Sequence, residues 1–236
     1  MLLVVCCLTV PLRGANNKQH ATNTNDGISS VSELDPRYFR RADESPDEAF
    51  YGQPRLVTHI DAGAVAAVTA LYRELFAPGA ALLDLMSSWV SHLPPEVAYA
   101  RVAGLGMNAA ELAANPRLTE RVTGNLNARP QLPFADGEFD GAGCCVSVQY
   151  LTRPVAVFAE VARVLRPGAP FAVTFSNRCF PTKAVAAWQA LDDAGHLALV
   201  QRYFADAGGW KAEVRAERRT RVGAGDPLYA VVGVRA

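Results

Sequence analysis

The sequence predicts an α/β fold: a mostly parallel sheet with helices on both faces. Short apolar runs suited to buried strands alternate with longer stretches whose apolar residues recur at the helical period. The helical stretches stop at pairs such as Pro78-Gly79, Pro167-Gly168 and Gly208-Gly209. The last two strand-like runs are joined through Gly223, Gly225 and Pro227 rather than by a helix. Alternation of this kind makes parallel strands with crossovers, and such sheets bind ligands beyond the C-terminal ends of their strands. Functional residues are therefore expected just after each strand.

The elements follow in chain order. Asp61 N-caps a helix that puts Val65, Val68, Leu71, Tyr72, Leu75 and Phe76 on one face. Ala81 to Leu85 is apolar except for Asp84, the pattern of a buried parallel strand with a functional acid near its end. Tyr99 to Gly104 is a second strand. Asn108 opens a short helix, with Glu111 placed as in a capping box. Arg121 to Gly124 and Asp140 to Val146 are the third and fourth strands. Val155, Phe158, Val161, Ala162 and Leu165 form the apolar face of the next helix, and Phe171 to Phe175 is the fifth strand. Helical stretches over about 183–192 and 195–207 follow, the second carrying Leu197, Val200, Tyr203 and Phe204. Lys211 to Glu217 and Leu228 to Val234 close the sheet.

Composition bounds the rest. The chain has 236 residues, 50% apolar and 19% charged, enough for one core and against bulk disorder. Lys+Arg and Asp+Glu are equal at 23 each, which argues against nucleic acid as the main partner. The basic run Arg215 to Arg221 reads as a solvated hairpin flank. None of Cys6, Cys7, Cys144, Cys145 and Cys179 has the spacing of a zinc site, so no metal is expected. Cys144 and Cys145 lie in a buried strand, and reduced thiols are expected. Met1 to Leu12 is apolar but too short for a helical membrane span, and it lacks a basic flank. Residues 1–30 read as a targeting segment or disordered tail, 31–60 as an N-terminal arm and 61–236 as the folded domain. The compartment and the oligomeric state stay open: a soluble protein, cytoplasmic or organellar.

Residues 132–168 carry the strongest signal. They run Leu-Pro-Phe-Ala-Asp-Gly-Glu-Phe-Asp, an apolar strand, a turn, a helix and Arg-Val-Leu-Arg-Pro-Gly. This order resembles the S-adenosylmethionine (SAM)-dependent methyltransferases of Rossmann type, within them the methyltransferase type 11 group. The resemblance implies a seven-stranded sheet with an antiparallel last strand, SAM as cofactor and methyl transfer to a small molecule. It also sets a register. The usual Leu-Asp-Leu-Gly-Cys-Gly-Thr-Gly motif stands here as Leu83-Asp84-Leu85-Met86-Ser87-Ser88-Trp89-Val90, with the acid kept and the glycines replaced. Those glycines normally let backbone approach the cofactor closely. Pro94-Pro95 also removes the long helix expected next.

In this register Asp84, Met86, Ser87 and Ser88 are the cofactor-loop positions, and Asp84 carries the main expectation. Its alternative is a carboxylate capping nearby amides; that of Ser87 and Ser88 is a helix cap. The acid that usually grips the ribose aligns with Gly106, with Asn108 two positions on, either a ribose contact or simply a helix cap. Asn125 aligns with the adenine-contacting position, or is a turn residue; Leu126 and Ser147 line the same implied site. His92 and Tyr150 are the proposed proton-handling residues, with Gln149, Asn177 and Arg178 as acceptor contacts. Arg178 reads alternatively as a surface ion pair, and Lys183 as the start of a helix. In similar enzymes the N-terminal region forms part of a lid, so Tyr51, Arg55 and His59 are candidate substrate contacts. The simpler expectation is a packing arm with its charges in solvent. The missing glycines favour a second hypothesis, a non-catalytic binding module. A third, another nucleotide, lacks both the P-loop and the G-x-G-x-x-G pattern.

Overall fold

The computed structural model describes residues 34–236 apart from 222 and 224. The expectation for residues 1–30 lies outside that range. A short arm comes first, with helix α1 (Asp47–Tyr51), followed by α2 (Ala62–Leu75). Strand β1 (Ala81–Leu85), β2 (Arg101–Gly106), α3 (Ala109–Ala114) and β3 (Glu120–Thr123) make the first half of the sheet. The second half is β4 (Gly141–Cys145), α4 (Pro154–Val164), β5 (Pro170–Phe175), α5 (Ala186–Ala190), α6 (Asp193–Ala207), β6 (Arg215–Arg218) and β7 (Tyr229–Val234).

The seven strands form one sheet in the order β3-β2-β1-β4-β5-β7-β6. β1 to β5 are parallel, and β7 runs antiparallel between β5 and β6. The strand order reverses between β1 and β4, and a crevice at such a switch point is where sheets of this kind bind ligands.

Each face of the sheet has its own apolar layer. One packs Phe139, Phe158, Phe171, Tyr203 and Phe204 around α4 and α6. The other packs Val68, Leu71, Tyr72 and Phe76 of the α2 side against Leu82, Val102 and Val232. Burying a ring such as Phe158 contributes roughly 2–3 kcal/mol. Asp61 caps α2 by accepting from the Ala64 amide at 2.8 Å, and it also accepts from the Asp226 amide at 2.7 Å. That second bond ties the start of α2 to the loop before β7. No helix among the described residues is long and apolar enough to cross a membrane.

Several elements differ from the sequence reading, and three of the differences have a local cause. β2 begins at Arg101 rather than Tyr99, because the Ala100 amide is drawn to the Ala80 carbonyl before pairing begins. The helix expected over 183–192 shrinks to α5, since Val185 bridges to Arg41 and the Ala186 amide donates to the Arg40 carbonyl. β6 is shorter than expected. Asn108 caps α3 alone: the Glu111 carboxylate accepts instead from the Arg55 amide and the Ser88 hydroxyl, so no capping box forms.

Candidate functional site

The C-terminal end of β1 is closed by its own loop. Asp84 is buried, and one carboxylate oxygen accepts from both the Ser87 and Ser91 hydroxyls at 2.6 Å. Asn115, fully buried, donates to the Ser91 hydroxyl at 2.8 Å and to the Ser88 carbonyl at 2.9 Å. The loop is thus sewn to the end of α3 by polar groups. Burial pushes the Asp84 carboxyl up to about 6, against the opposing pull of the two hydroxyls.

The same loop leans on β2. The Ser87 amide donates to the Leu105 carbonyl, and a Cβ placed on Gly106 would stand 2.0 Å from the Ser87 carbonyl oxygen. No side chain fits at 106 while the loop holds this course. The course of this loop and the glycine at 106 therefore depend on one another.

Met86 keeps a left-handed backbone (φ 55°) where the related motif has glycine, as do His92 (φ 52°) and Val146 (φ 45°). Each such residue costs on the order of 1–3 kcal/mol, held by the surrounding structure.

The arm covers the ends of β2 and β3. Asn108 accepts the Ala110 and Glu111 amides through Oδ1 and donates through Nδ2 to the Tyr51 and Gly52 carbonyls at 3.0 and 3.1 Å. Asn125 accepts the Asn127 and Ala128 amides and donates to the Glu48 carboxylate at 2.8 Å. Both are the caps and turn residues of the simpler expectation, and both also hold the arm. Leu126 is buried beside them. Asn127 donates to the Asp47 carboxylate and the Tyr150 carbonyl.

The expectation that the arm's charges lie in solvent is corrected for Arg41 and Asp47, while Arg37, Arg40, Glu44 and Glu48 are exposed. Asp47 is buried, paired with Arg41 at 2.5 Å and near the fully buried Lys183 ammonium at 3.6 Å. Lys183 does not begin a helix. It donates to the Ser45 carbonyl at 2.7 Å and pairs with Asp43 at 3.3 Å.

The ends of β4 and β5 meet the arm from the other side. Gln149 is fully buried; its Nε2 donates to the Val146 carbonyl, and its Oε1 makes no hydrogen bond. The Tyr150 hydroxyl accepts from the Phe180 amide at 2.8 Å, and its ring lies near those of Tyr51 and Phe180. Arg55 sits over the Phe50 ring at 4.7 Å, and His59 packs on Phe180. The Ser147 hydroxyl turns back to the Cys145 carbonyl. Arg178 pairs with Asp226 at 2.8 Å, as the ion-pair reading expected, and Asn177 accepts from the Ser176 hydroxyl.

The fold brings Gln149, Tyr150, Tyr51 and the 176–183 loop together. It does not bring His92 to them: the His92 carbonyl accepts from Thr69 in the middle of α2. Burial lowers the His92 pKa. Burial raises the Cys144 and Cys145 thiols, Cys145 to about 12. These two are protonated packing groups rather than nucleophiles.

Sequence reasoning missed Ser91, Asn115 and Asp47 as parts of this region, read Glu111 as half of a capping box and placed Lys183 at the start of a helix. Only Ser91 carried a signal, a small polar residue in the proline-interrupted stretch after the first strand.

A nucleoside in the pose usual for the related motif does not fit this arrangement. Gly106 offers no carboxylate, one oxygen of Asp84 is taken by two serines, and the arm occupies the Asn108 carboxamide and one N–H of Asn125.

Residues 87–173 match the family model described as a methyltransferase domain. The chain is 30% identical over 80 residues to the biotin biosynthesis bifunctional protein BioHC of Teredinibacter turnerae, covering 34% of this chain and 14% of that one. It is 38% identical over 80 residues to the methyltransferase phqN of Penicillium fellutanum, covering 31% and 24%. The chain thus spans less than a quarter of the length of these relatives.

Among solved structures, it resembles the methyltransferase bound to the Trm112 activator of Haloferax volcanii (TM-score 0.56, 16% identity, 73% of this chain and 90% of that one). It also resembles the [4+2]-cyclase SpnF (TM-score 0.54, 16% identity, 80% and 91%). A third is the Haemonchus contortus phosphoethanolamine N-methyltransferase 2 holding S-adenosylhomocysteine (TM-score 0.52, 12% identity, 72% and 52%).

Proposed function

We propose that this chain, which has the Rossmann-like fold of class I methyltransferases, is a SAM-dependent methyltransferase acting on a small molecule. The observation that carries the reading is the family match, which runs from the loop after β1 through β5 and so spans the switch point between β1 and β4. A structural neighbour that holds S-adenosylhomocysteine supports the choice of cofactor.

The cofactor would supply an activated methyl on a sulfonium centre, leaving the protein to place the acceptor. Gln149 suits that task. Its amide nitrogen is pinned by Val146, and its buried Oε1 makes no hydrogen bond, so it would accept an N–H or O–H of the acceptor once the segments covering it part. Tyr150 stands next to it, with its hydroxyl fixed at Phe180, and Asn177 and Arg178 border the same loop. The lowered pKa of His92 leaves it neutral near pH 7, which suits a base if the acceptor reaches the β1 loop. With the arm as it stands, Asp84, Ser87, Ser88, Asn108, Asn125, Leu126 and Ser147 serve first as supports of the site's shape.

A second reading, a binding module without methyl transfer, is favoured by Met86 and Gly106. The likeness to a cyclase is in keeping with a fold that serves more than one chemistry. Calorimetric titration with SAM, with S-adenosylhomocysteine as control, separates the two. Saturable binding of both supports methyl transfer; binding of neither removes it.

A further inference from the structure

We propose that residues 43–59 form a strap that competes with the cofactor for its nucleoside positions, so that the arrangement seen here is self-inhibited. The proposal rests on the SAM reading above and concerns the regulation of that site.

Asn108, two positions past the residue aligned with the ribose acid, and Asn125, aligned with the adenine position, are bound by one short stretch of the chain's own arm. Asn108 donates to the Tyr51 and Gly52 carbonyls, and Asn125 to the Glu48 carboxylate. Their acceptor faces are already used by local backbone amides. While the strap is down, the Asn108 carboxamide has no hydrogen-bonding capacity left for a nucleoside, and Asn125 keeps a single N–H. A lid that merely closed over a bound cofactor would leave these groups free to hold it.

The strap is fastened at both ends. At its start Lys183, fully buried, gathers the Ser45 carbonyl and hydroxyl and the Asp43 and Asp47 carboxylates. Farther along, the Arg55 amide donates to Glu111, and the Trp89 indole donates to the Val57 carbonyl. The strap thus also holds the β1 loop, through Trp89 directly and through Glu111, which binds the Ser88 hydroxyl.

The region under the start of the strap is polar and incompletely filled. A groove of about 410 Å³ runs there, lined by Arg40, Glu44, Asp47, Glu48, Asn125 and Thr152. Lifting the start of the strap breaks polar contacts that water can replace, while farther along Phe50 and Tyr51 must leave the rings of Phe180 and Tyr150.

Apparent affinity for a ligand falls in proportion to the fraction of molecules whose site is open. Weakening the strap therefore tightens cofactor binding without touching the cofactor's own contacts. The test measures S-adenosylhomocysteine affinity by calorimetry and amide exchange over 43–59 for the full chain, Lys183→Met and Glu48→Ala. Glu48 is exposed, so its variant folds whether or not Lys183→Met does.

The expected result is binding about tenfold tighter in Lys183→Met and about threefold tighter in Glu48→Ala, with strap exchange rising when ligand binds. Equal affinities in all three proteins, or a strap that becomes more protected on binding, overturn the competition and spare the cofactor assignment. Absence of binding in variants whose strap exchanges freely overturns the cofactor assignment, and the competition with it.

Discussion

Two crossovers in this sheet do the same topological work by opposite means. Between β4 and β5 the chain travels through α4, whose buried Val157, Phe158 and Val161 fasten it to the sheet by apolar contact. Between β1 and β2 there is no helix. There Asp84, Ser87, Ser91 and Asn115 hold the loop through hydrogen bonds, and the strap locks it from outside. Apolar packing tolerates sequence drift as long as volume is kept, whereas a buried polar network depends on each partner. The first crossover lies within the stretch that matches the methyltransferase-domain model, and the loop of the second is where the sequence differs from the usual motif.

Substitutions in the two regions sharpen that contrast. Phe158→Ala should cost about 4 kcal/mol in urea denaturation, with no dependence on pH. A cost that varies with pH would show that α4, too, leans on charge.

Asp84→Asn should change the pH dependence instead. Below pH about 4 the carboxyl is protonated in folded and unfolded chains alike. Between about 4 and 6 the unfolded chain ionises while the folded chain holds its proton, so wild-type stability falls as pH rises and levels off above 6. The variant, which has no proton to lose, should gain about 3 kcal/mol relative to wild type between pH 4 and pH 8. Parallel stability profiles would mean the carboxyl is not held at this raised value.

Gly106→Ala should cost about 2 kcal/mol, because the β1 loop must retreat from the new methyl group. The accompanying sign is faster amide exchange at 87–91; unchanged exchange there would break the proposed contact.

Asn108→Ala removes the α3 cap and two bonds to the arm. It should cost about 1 kcal/mol and loosen residues 48–52 in hydrogen exchange. Protection in that stretch equal to wild type would detach Asn108 from the strap.

The contrast also explains what the sequence disclosed. α4 and its flanking strands announce themselves through local signals: apolar residues at helical spacing, then Pro167-Gly168. The β1 loop disclosed only what it lacked, the glycines and a helix after Pro94-Pro95. Its replacement is written in pairs far apart in sequence, Ser91 with Asn115 across 24 positions and Asn108 with Tyr51 across 57. No period connects such residues. Asp47 was expected in water for the same reason: its buried partner Lys183 belongs to a loop near the other end of the chain. Gln149 was legible as a site position through the family register, but its unsatisfied oxygen was not.

The contact between the Ser87 carbonyl and Gly106 has a consequence for how such a chain can change over time. An acid restored at 106 alone meets a backbone atom, and glycines restored in the loop alone leave nothing to grip a ribose. Each change therefore needs the other, and rebuilding the usual pocket in this chain takes both at once.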